Sequence, residues 1–127
     1  MSIHQEVLIL ATTDRIYEAL IDEDQFSKIT GNLPTEIDGR EGGRFSCFGG
    51  MITGRNVELV PGRRIVQAWR VKSWEPGTFS IVSFELIPEG SATKIIFDHT
   101  GYPEAEEQHL AIGWSTNYWR PLQEFLE

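Results

Sequence analysis

Residues 104–126 of this chain, EAEEQHLAIGWSTNYWRPLQEFL, decide its fold. Glutamates stand in the first turn of this segment, where a helix favours negative charge. Large apolar side chains then recur at spacings of three and four, which places them on one helical face. These side chains are Leu110, Trp114, Tyr118, Leu122 and Phe125. The pattern predicts a long C-terminal helix whose aromatic stripe packs against another element.

Two residues interrupt the helical pattern. Gly113 removes a side chain beside Trp114, which either allows close approach of a neighbouring element or leaves room for a ligand. Pro121 lies deep inside the pattern, where proline removes a backbone hydrogen bond and is expected to kink the helix. A bend there would let the helix follow a curved sheet.

A sheet is predicted upstream, because the apolar period changes to two between Pro34 and Thr100. Turn signals such as Gly49-Gly50 and Pro61-Gly62 separate the segments, which is typical of an antiparallel meander. The predicted strands are 35–39, 43–48, 51–60, 64–73, 78–88 and 92–100. A further strand is predicted over 3–11, followed by short helices over 13–22 and 23–29, of which the first is capped by Thr12-Thr13-Asp14.

The alternation also predicts which face of the sheet is covered. One face of each central strand is mainly apolar and the other is mixed, so the sheet packs on one side only. The covered set is Ile65, Gln67, Trp69 and Val71, then Ser80, Val82, Phe84 and Leu86, then Thr93, Ile95, Phe97 and His99. The predicted fold is therefore α+β, with a curved antiparallel sheet of six to seven strands wrapped around the C-terminal helix.

Composition and charge limit the function. The chain has 127 residues, which suits one domain over 1–127 whose core needs no metal or disulfide. A net charge of −8 disfavours nucleic acid and anionic membranes as partners, and no apolar run reaches the ~20 residues of a membrane span. Cys47 is the only cysteine and the start lacks the order of a signal peptide, so a cytoplasmic location is expected.

Several motifs together resemble one family. They are Gly42-Gly43-Arg44-Phe45, Ile52-Thr53-Gly54, Pro61-Gly62-Arg63-Arg64-Ile65-Val66, Trp69-Arg70-Val71-Lys72-Ser73-Trp74, Gly101-Tyr102-Pro103 and Gly113-Trp114. The set resembles the C-terminal domain of the activators of the heat-shock protein 90 (Hsp90) chaperone ATPase. The similarity covers nearly the whole chain and implies the START-like, or birch-pollen-allergen-like, helix-grip fold of the SRPBCC superfamily. The eukaryotic activators also carry a separate N-terminal domain, which is not expected in this sequence.

The resemblance implies three functions. Helix-grip relatives commonly hold an apolar molecule between sheet and helix, so the leading hypothesis is non-enzymatic binding of a small hydrophobic ligand by a monomer or weak homodimer. A co-chaperone that binds and stimulates an Hsp90 ATPase during stress is the first alternative. A cyclase or aromatase type of enzyme that uses His99 is the second. No cofactor is expected.

The candidate cavity residues are those that converge if sheet and helix pair as predicted. The aromatic residues among them either belong to the ordinary hydrophobic core or line a pocket. Gln67 and Asn117 would supply the few polar contacts of such a pocket. Tyr118 could instead place its hydroxyl at the mouth. The full set is Gln67, Trp69, Phe84, Phe97, His99, Trp114, Asn117 and Tyr118.

Three residues leave alternatives open. His99 either contacts a ligand or moves a proton, or it is a bonded core histidine, and Asp98 cannot orient it because strand neighbours point to opposite faces. Trp74, beside the Pro76-Gly77 turn, is either an exposed anchor for a protein partner or a cover for the pocket edge. Cys47 is more simply a buried strand residue than a nucleophile. The histidines lack metal-ligand spacing, so no metal site is predicted.

Overall fold

The computed structural model describes residues 2–127, and Met1 of the predicted 1–127 domain lies outside the described residues. Seven strands form one antiparallel sheet in the order β1-β7-β6-β5-β4-β3-β2. The strands are β1 (Ser2–Ile9), β2 (Glu36–Ile37), β3 (Arg44–Cys47), β4 (Ile52–Val60), β5 (Arg64–Val71), β6 (Ser80–Glu89) and β7 (Ala92–Thr100). The predicted seven strands are confirmed, with ends that differ by at most two residues.

Two short helices follow β1, as predicted. They are α1 (Thr13–Ile21) and α2 (Glu23–Ile29). The Thr12 hydroxyl accepts a hydrogen bond from the first turn of α1, and the Asp22 carboxylate does the same for α2. These caps satisfy backbone N–H groups that a helix start leaves unpaired.

The predicted C-terminal helix is confirmed over residues 104–126, but it is not uniform. It comprises a 3₁₀ turn (Glu104–Glu106), α3 (Glu107–Trp114), a π-helical segment (Ser115–Trp119) and α4 (Arg120–Leu126). The π-helical segment ends just before α4, so Pro121 lies in the first turn of α4, where its missing N–H is tolerated. Changing the helical winding is therefore how this helix accommodates its internal proline.

The predicted covered face of the sheet is confirmed. In β6 and β7 alternate residues from Ser80 to Leu86 and from Thr93 to His99 are buried. The C-terminal helix packs on this face, since the Trp114 ring centroid lies 4.3 Å from that of Phe97 and 5.3 Å from that of Trp69. Ring pairs at these distances add to the stabilisation from buried apolar area.

The opposite face of the sheet is exposed and carries a cluster missed by sequence reasoning. His4 and Asp98 are cross-strand partners in β1 and β7, and His4 Nδ1 lies 2.7 Å from an Asp98 oxygen. His4 Nε2 lies 2.9 Å from Glu6, and these two carboxylates raise the pKa of His4. Asp98 thus points away from His99, as predicted.

Candidate functional site

An apolar groove of about 610 Å³ lies between the C-terminal helix and strands β4 and β5. We call it the apolar groove. Its sides carry Phe48, Met51, Ile52, Trp69, Val71, Leu110, Gly113, Trp114 and Tyr118, and polar groups come from Ser73, Glu106, His109 and Asn117. It lies at the predicted position, and four of the predicted cavity residues line it: Trp69, Trp114, Asn117 and Tyr118.

The β3–β4 turn closes one side of the apolar groove through an unusual backbone. Phe48 has a φ of 55°, a left-handed conformation that bulky residues rarely adopt. Its ring is held by edge contact with Phe26 at 5.9 Å and by a tilted contact with Tyr118 at 5.6 Å. Strained backbone persists only where the surroundings hold it. The contacts with Phe26 and Tyr118 therefore fix Phe48 at the side of the groove.

Trp74 is not the exposed partner anchor that one interpretation predicted. Its side chain is only 6% exposed, its ring packs 5.9 Å from that of Trp69, and its Nε1 donates to Glu106 at 3.1 Å. A side chain so deeply buried offers a partner almost no surface. The alternative, that Trp74 covers the edge of the pocket, agrees with these contacts, because Glu106 lies at the groove.

His99 does not reach the apolar groove. It is fully buried, its Nδ1 accepts a hydrogen bond from Trp114 Nε1 at 3.0 Å, and its Nε2 lies 2.7 Å from Ser80 Oγ. Ser80 Oγ in turn donates to the Trp69 carbonyl at 3.0 Å, so Nε2 carries the proton of a neutral ring. Burial lowers the pKa of His99 to about 4.

This arrangement corrects two predictions about His99. Both ring nitrogens are occupied by protein groups, so neither can contact a ligand or transfer a proton to one in the groove. The geometry instead matches the plain alternative of a bonded core histidine, here one that fixes the indole of Trp114.

Three further predicted cavity residues do not line the groove. Phe84 and Phe97 are at most 1% exposed and pack on each other with ring centroids 5.1 Å apart. Gln67 donates to Asn56 Oδ1 at 3.1 Å, and it borders a small void of about 10 Å³ together with Phe84. The alternation predicted their face correctly but not their depth, because depth depends on how the helix lies over the sheet.

Tyr118 contributes its ring to the apolar groove but not its hydroxyl to the mouth. The hydroxyl is buried beside Trp69 and the Cys47 thiol, and burial raises the Tyr118 pKa well above its ordinary value. Burial likewise raises the pKa of Cys47 to about 12, so the thiol is not a reactive nucleophile. Trp69 Nε1, also buried here, has no hydrogen-bond partner of good geometry.

Gly113 leaves open space in the apolar groove. A Cβ at this position would meet only Asn117 Nδ2, at the ordinary contact distance of 3.6 Å. We therefore expect Gly113→Ala to raise the free energy of unfolding by about 0.5–1 kcal/mol, because alanine has less conformational entropy to lose in a helix. Urea denaturation of both proteins measures the difference. A destabilised Gly113→Ala protein would show that the space is needed for packing.

Two kinds of feature are absent from residues 2–127. No helix in this part of the chain is both long and apolar enough to cross a membrane. No three acidic, histidine or cysteine side chains in the same range are placed to hold a metal ion.

Comparison with known proteins identifies relatives along nearly the whole chain. A family model described as activator of Hsp90 ATPase homolog 1-like protein matches residues 10–127. The activator of 90 kDa heat shock protein ATPase homolog of Dictyostelium discoideum is 38% identical over 102 residues, which are 80% of this chain and 26% of that protein. The activator of 90 kDa heat shock protein ATPase homolog 2 of Mus musculus is 25% identical over 127 residues. These residues are 100% of this chain and 38% of the mouse protein.

A solved structure agrees with the fold. The crystal structure of an HSP90 activator from Plasmodium falciparum superposes with a TM-score of 0.93 at 23% identity, covering 98% of this chain and 94% of that one. The helix-grip architecture predicted from the sequence is therefore confirmed. The chain spans less than two fifths of the length of the two curated relatives named above.

Proposed function

The chain belongs to the family of activator of Hsp90 ATPase homolog 1-like proteins, and on that premise we propose that it binds a small apolar molecule in the apolar groove. The observation that carries the proposal is the groove volume of about 610 Å³ between the C-terminal helix and strands β4 and β5, with Trp69 and Trp114 among its lining residues. Ligand pockets usually measure ~300–1,000 Å³ and have mainly apolar walls with a few polar groups.

The shape of the groove supports a partly apolar ligand with a polar end. Leu110, Trp114 and Ile52 are buried and form its deeper part, whereas His109 and Asn117 are exposed. Glu106, half-buried and bonded to Trp74, adds a carboxylate. An apolar body would displace water from the rings, and its polar end would remain near the helix side chains. The proposed role is binding without catalysis.

Filling the groove tests this proposal. Gly113→Leu adds a side chain where the groove is open, so we expect binding of N-phenyl-1-naphthylamine, an uncharged apolar fluorophore, to weaken at least tenfold. Fluorescence titration measures it. Thr116→Leu is the matched control, since it adds the same side chain at an exposed helix position outside the groove. Equal affinity in all three proteins, or no binding by the parent chain, would refute the proposal.

A second candidate function follows from the family. Two relatives that match 80% or more of this chain are named as activators of the 90 kDa heat shock protein ATPase. We therefore infer a co-chaperone role as the alternative function. The test is the ATPase rate of an Hsp90-class chaperone with and without this chain, together with co-elution on a sizing column. Unchanged rate and separate elution would remove the role, whatever the result with the fluorophore.

A further inference from the structure

Three arginines share the exposed face of the sheet, on the side away from the apolar groove. Arg44 in β3 is the direct cross-strand partner of Arg55 in β4, and Arg70 in β5 stands diagonal to Arg55. Their neighbours Phe45 and Trp69 are buried, so alternation directs the arginines outward. This concentration of positive charge occurs in a chain of net charge −8.

Arg44 and Arg55 line a shallow depression, which we call the arginine trough, and Arg70 adjoins it through Phe79. It has a volume of about 680 Å³ and is lined by Glu36, Arg44, Phe45, Ser46, Thr53, Gly54, Arg55, Ala68 and Phe79. Phe79 is 49% exposed, and the Arg70 guanidinium lies 5.8 Å from its ring centre. Ile81, 44% exposed, is the cross-strand partner of Ala68. Cationic and apolar surface therefore adjoin.

None of the three arginines forms an ion pair within residues 2–127, although the Glu36 carboxylate also lines the trough. The basic residues that do form ion pairs in the described part of the chain are Arg40, Arg64, Lys94 and His4. Arg55 instead donates to the Gly42 carbonyl at 2.9 Å. Two like charges directly opposite each other on a sheet are destabilising. A local arrangement that costs stability without compensation is typical of a functional surface.

We propose that the arginine trough binds an acidic segment of a partner protein, with Phe79 and Ile81 receiving an apolar side chain of that segment. Arginine pairs with carboxylates through two parallel N–H groups, and arginine and aromatic residues dominate the energy of protein interfaces. Arg70 is held in place by donating to the Trp74 carbonyl at 2.8 Å, so part of the surface is already ordered before binding.

Nucleic acid and anionic membranes fit the arginine trough less well than a short acidic segment. Both present extended arrays of negative charge, which would meet the acidic remainder of the chain outside the trough. A short segment needs complementarity only over the trough itself.

An NMR titration tests the proposal. The ¹⁵N-labelled chain is titrated with a synthetic dodecapeptide of aspartate and glutamate around one central phenylalanine. We expect amide shifts confined to β3, β4, β5 and the start of β6, and an affinity that falls as salt is added. The double variant Arg44→Gln/Arg55→Gln should bind about fivefold more weakly, the effect of two exposed charge pairs.

Controls make the outcome decisive. Arg120→Gln, at an exposed helix position away from the trough, should bind the peptide like the parent. A peptide with glutamine in place of its acids should cause no shifts. Absent shifts, shifts at the apolar groove, or equal loss on Arg120→Gln would overturn the proposal. Tighter binding of a single-stranded DNA dodecamer would overturn the partner class.

Discussion

Trp114→Ala is expected to lower the free energy of unfolding by about 4 kcal/mol. Trp114 is 2% exposed, and its ring meets those of Trp69, Phe97 and Tyr118 at centroid distances of 4.2–5.3 Å. Removing a buried tryptophan leaves a cavity, which typically costs ~3–5 kcal/mol. The substitution also leaves Nδ1 of His99 buried without its donor. Urea denaturation measures the change.

A second substitution separates the ring from the hydrogen bond. Trp114→Phe keeps an aromatic ring but cannot donate to His99, so we expect a loss of about 2 kcal/mol. If Trp114→Ala costs less than about 1 kcal/mol, then the helix does not grip the sheet through this ring, and the described packing is wrong.

Acid is expected to destabilise the fold through His99 before the carboxylates titrate. The pKa of His99 is about 4 in the folded chain and near 6.5 when unfolded. Below pH 6.5 the unfolded state therefore binds a proton that the folded state does not bind. The free energy of unfolding consequently falls as the pH falls. From pH 7.5 to pH 5 this group should remove about 2 kcal/mol, and roughly 3 kcal/mol by pH 4.

Other titrating groups act in different ranges. Glu6 and Asp38 have lowered pKa values, so their contribution is lost only as the pH falls through and below their ordinary values of 4.5 and 3.8. His4 has a raised pKa, and the stability it contributes is complete below 6.5 and lost as the pH rises above that value. The window from pH 6.5 to pH 5 therefore reports mainly on His99.

The comparison is between the parent chain and His99→Gln, with stability measured across this pH window. The variant is expected to be less stable at pH 7.5, because it loses a packed ring, but its stability should change less between pH 6.5 and pH 5. Equal slopes, or a His99 ring that titrates near pH 6.5 by NMR, would contradict the buried neutral state.

Periodicity predicted the architecture because it is a local property of the chain. Alternation in β6 and β7 identified the covered face down to His99, and the aromatic stripe identified residues 104–126 as the helix that covers it. The position of the groove followed from Gly113 and Trp114 on one side and Trp69 on the other.

The details that sequence missed depend on long-range contacts. Whether His99 faces the groove or lies beneath it is decided by the indole of Trp114, 15 residues away, which donates to it. For Trp74 the sequence left exposure and burial open, and the choice depends on Glu106, 32 residues away, which accepts its N–H. The arginine trough joins residues 44, 55 and 70 through strand register, which no short motif encodes. Only the pairing of strands brings these groups together.

The most direct test of apolar binding observes the four tryptophan indole N–H signals during titration with N-phenyl-1-naphthylamine. Trp69 and Trp114 line the apolar groove, whereas Trp119 lies outside its lining and donates to Gln5 Oε1 at 2.7 Å. We expect the signals of Trp69 and Trp114 to move with a common saturation curve while that of Trp119 moves least. Four unmoved indole signals at saturating fluorophore, or a response led by Trp119, would contradict this expectation.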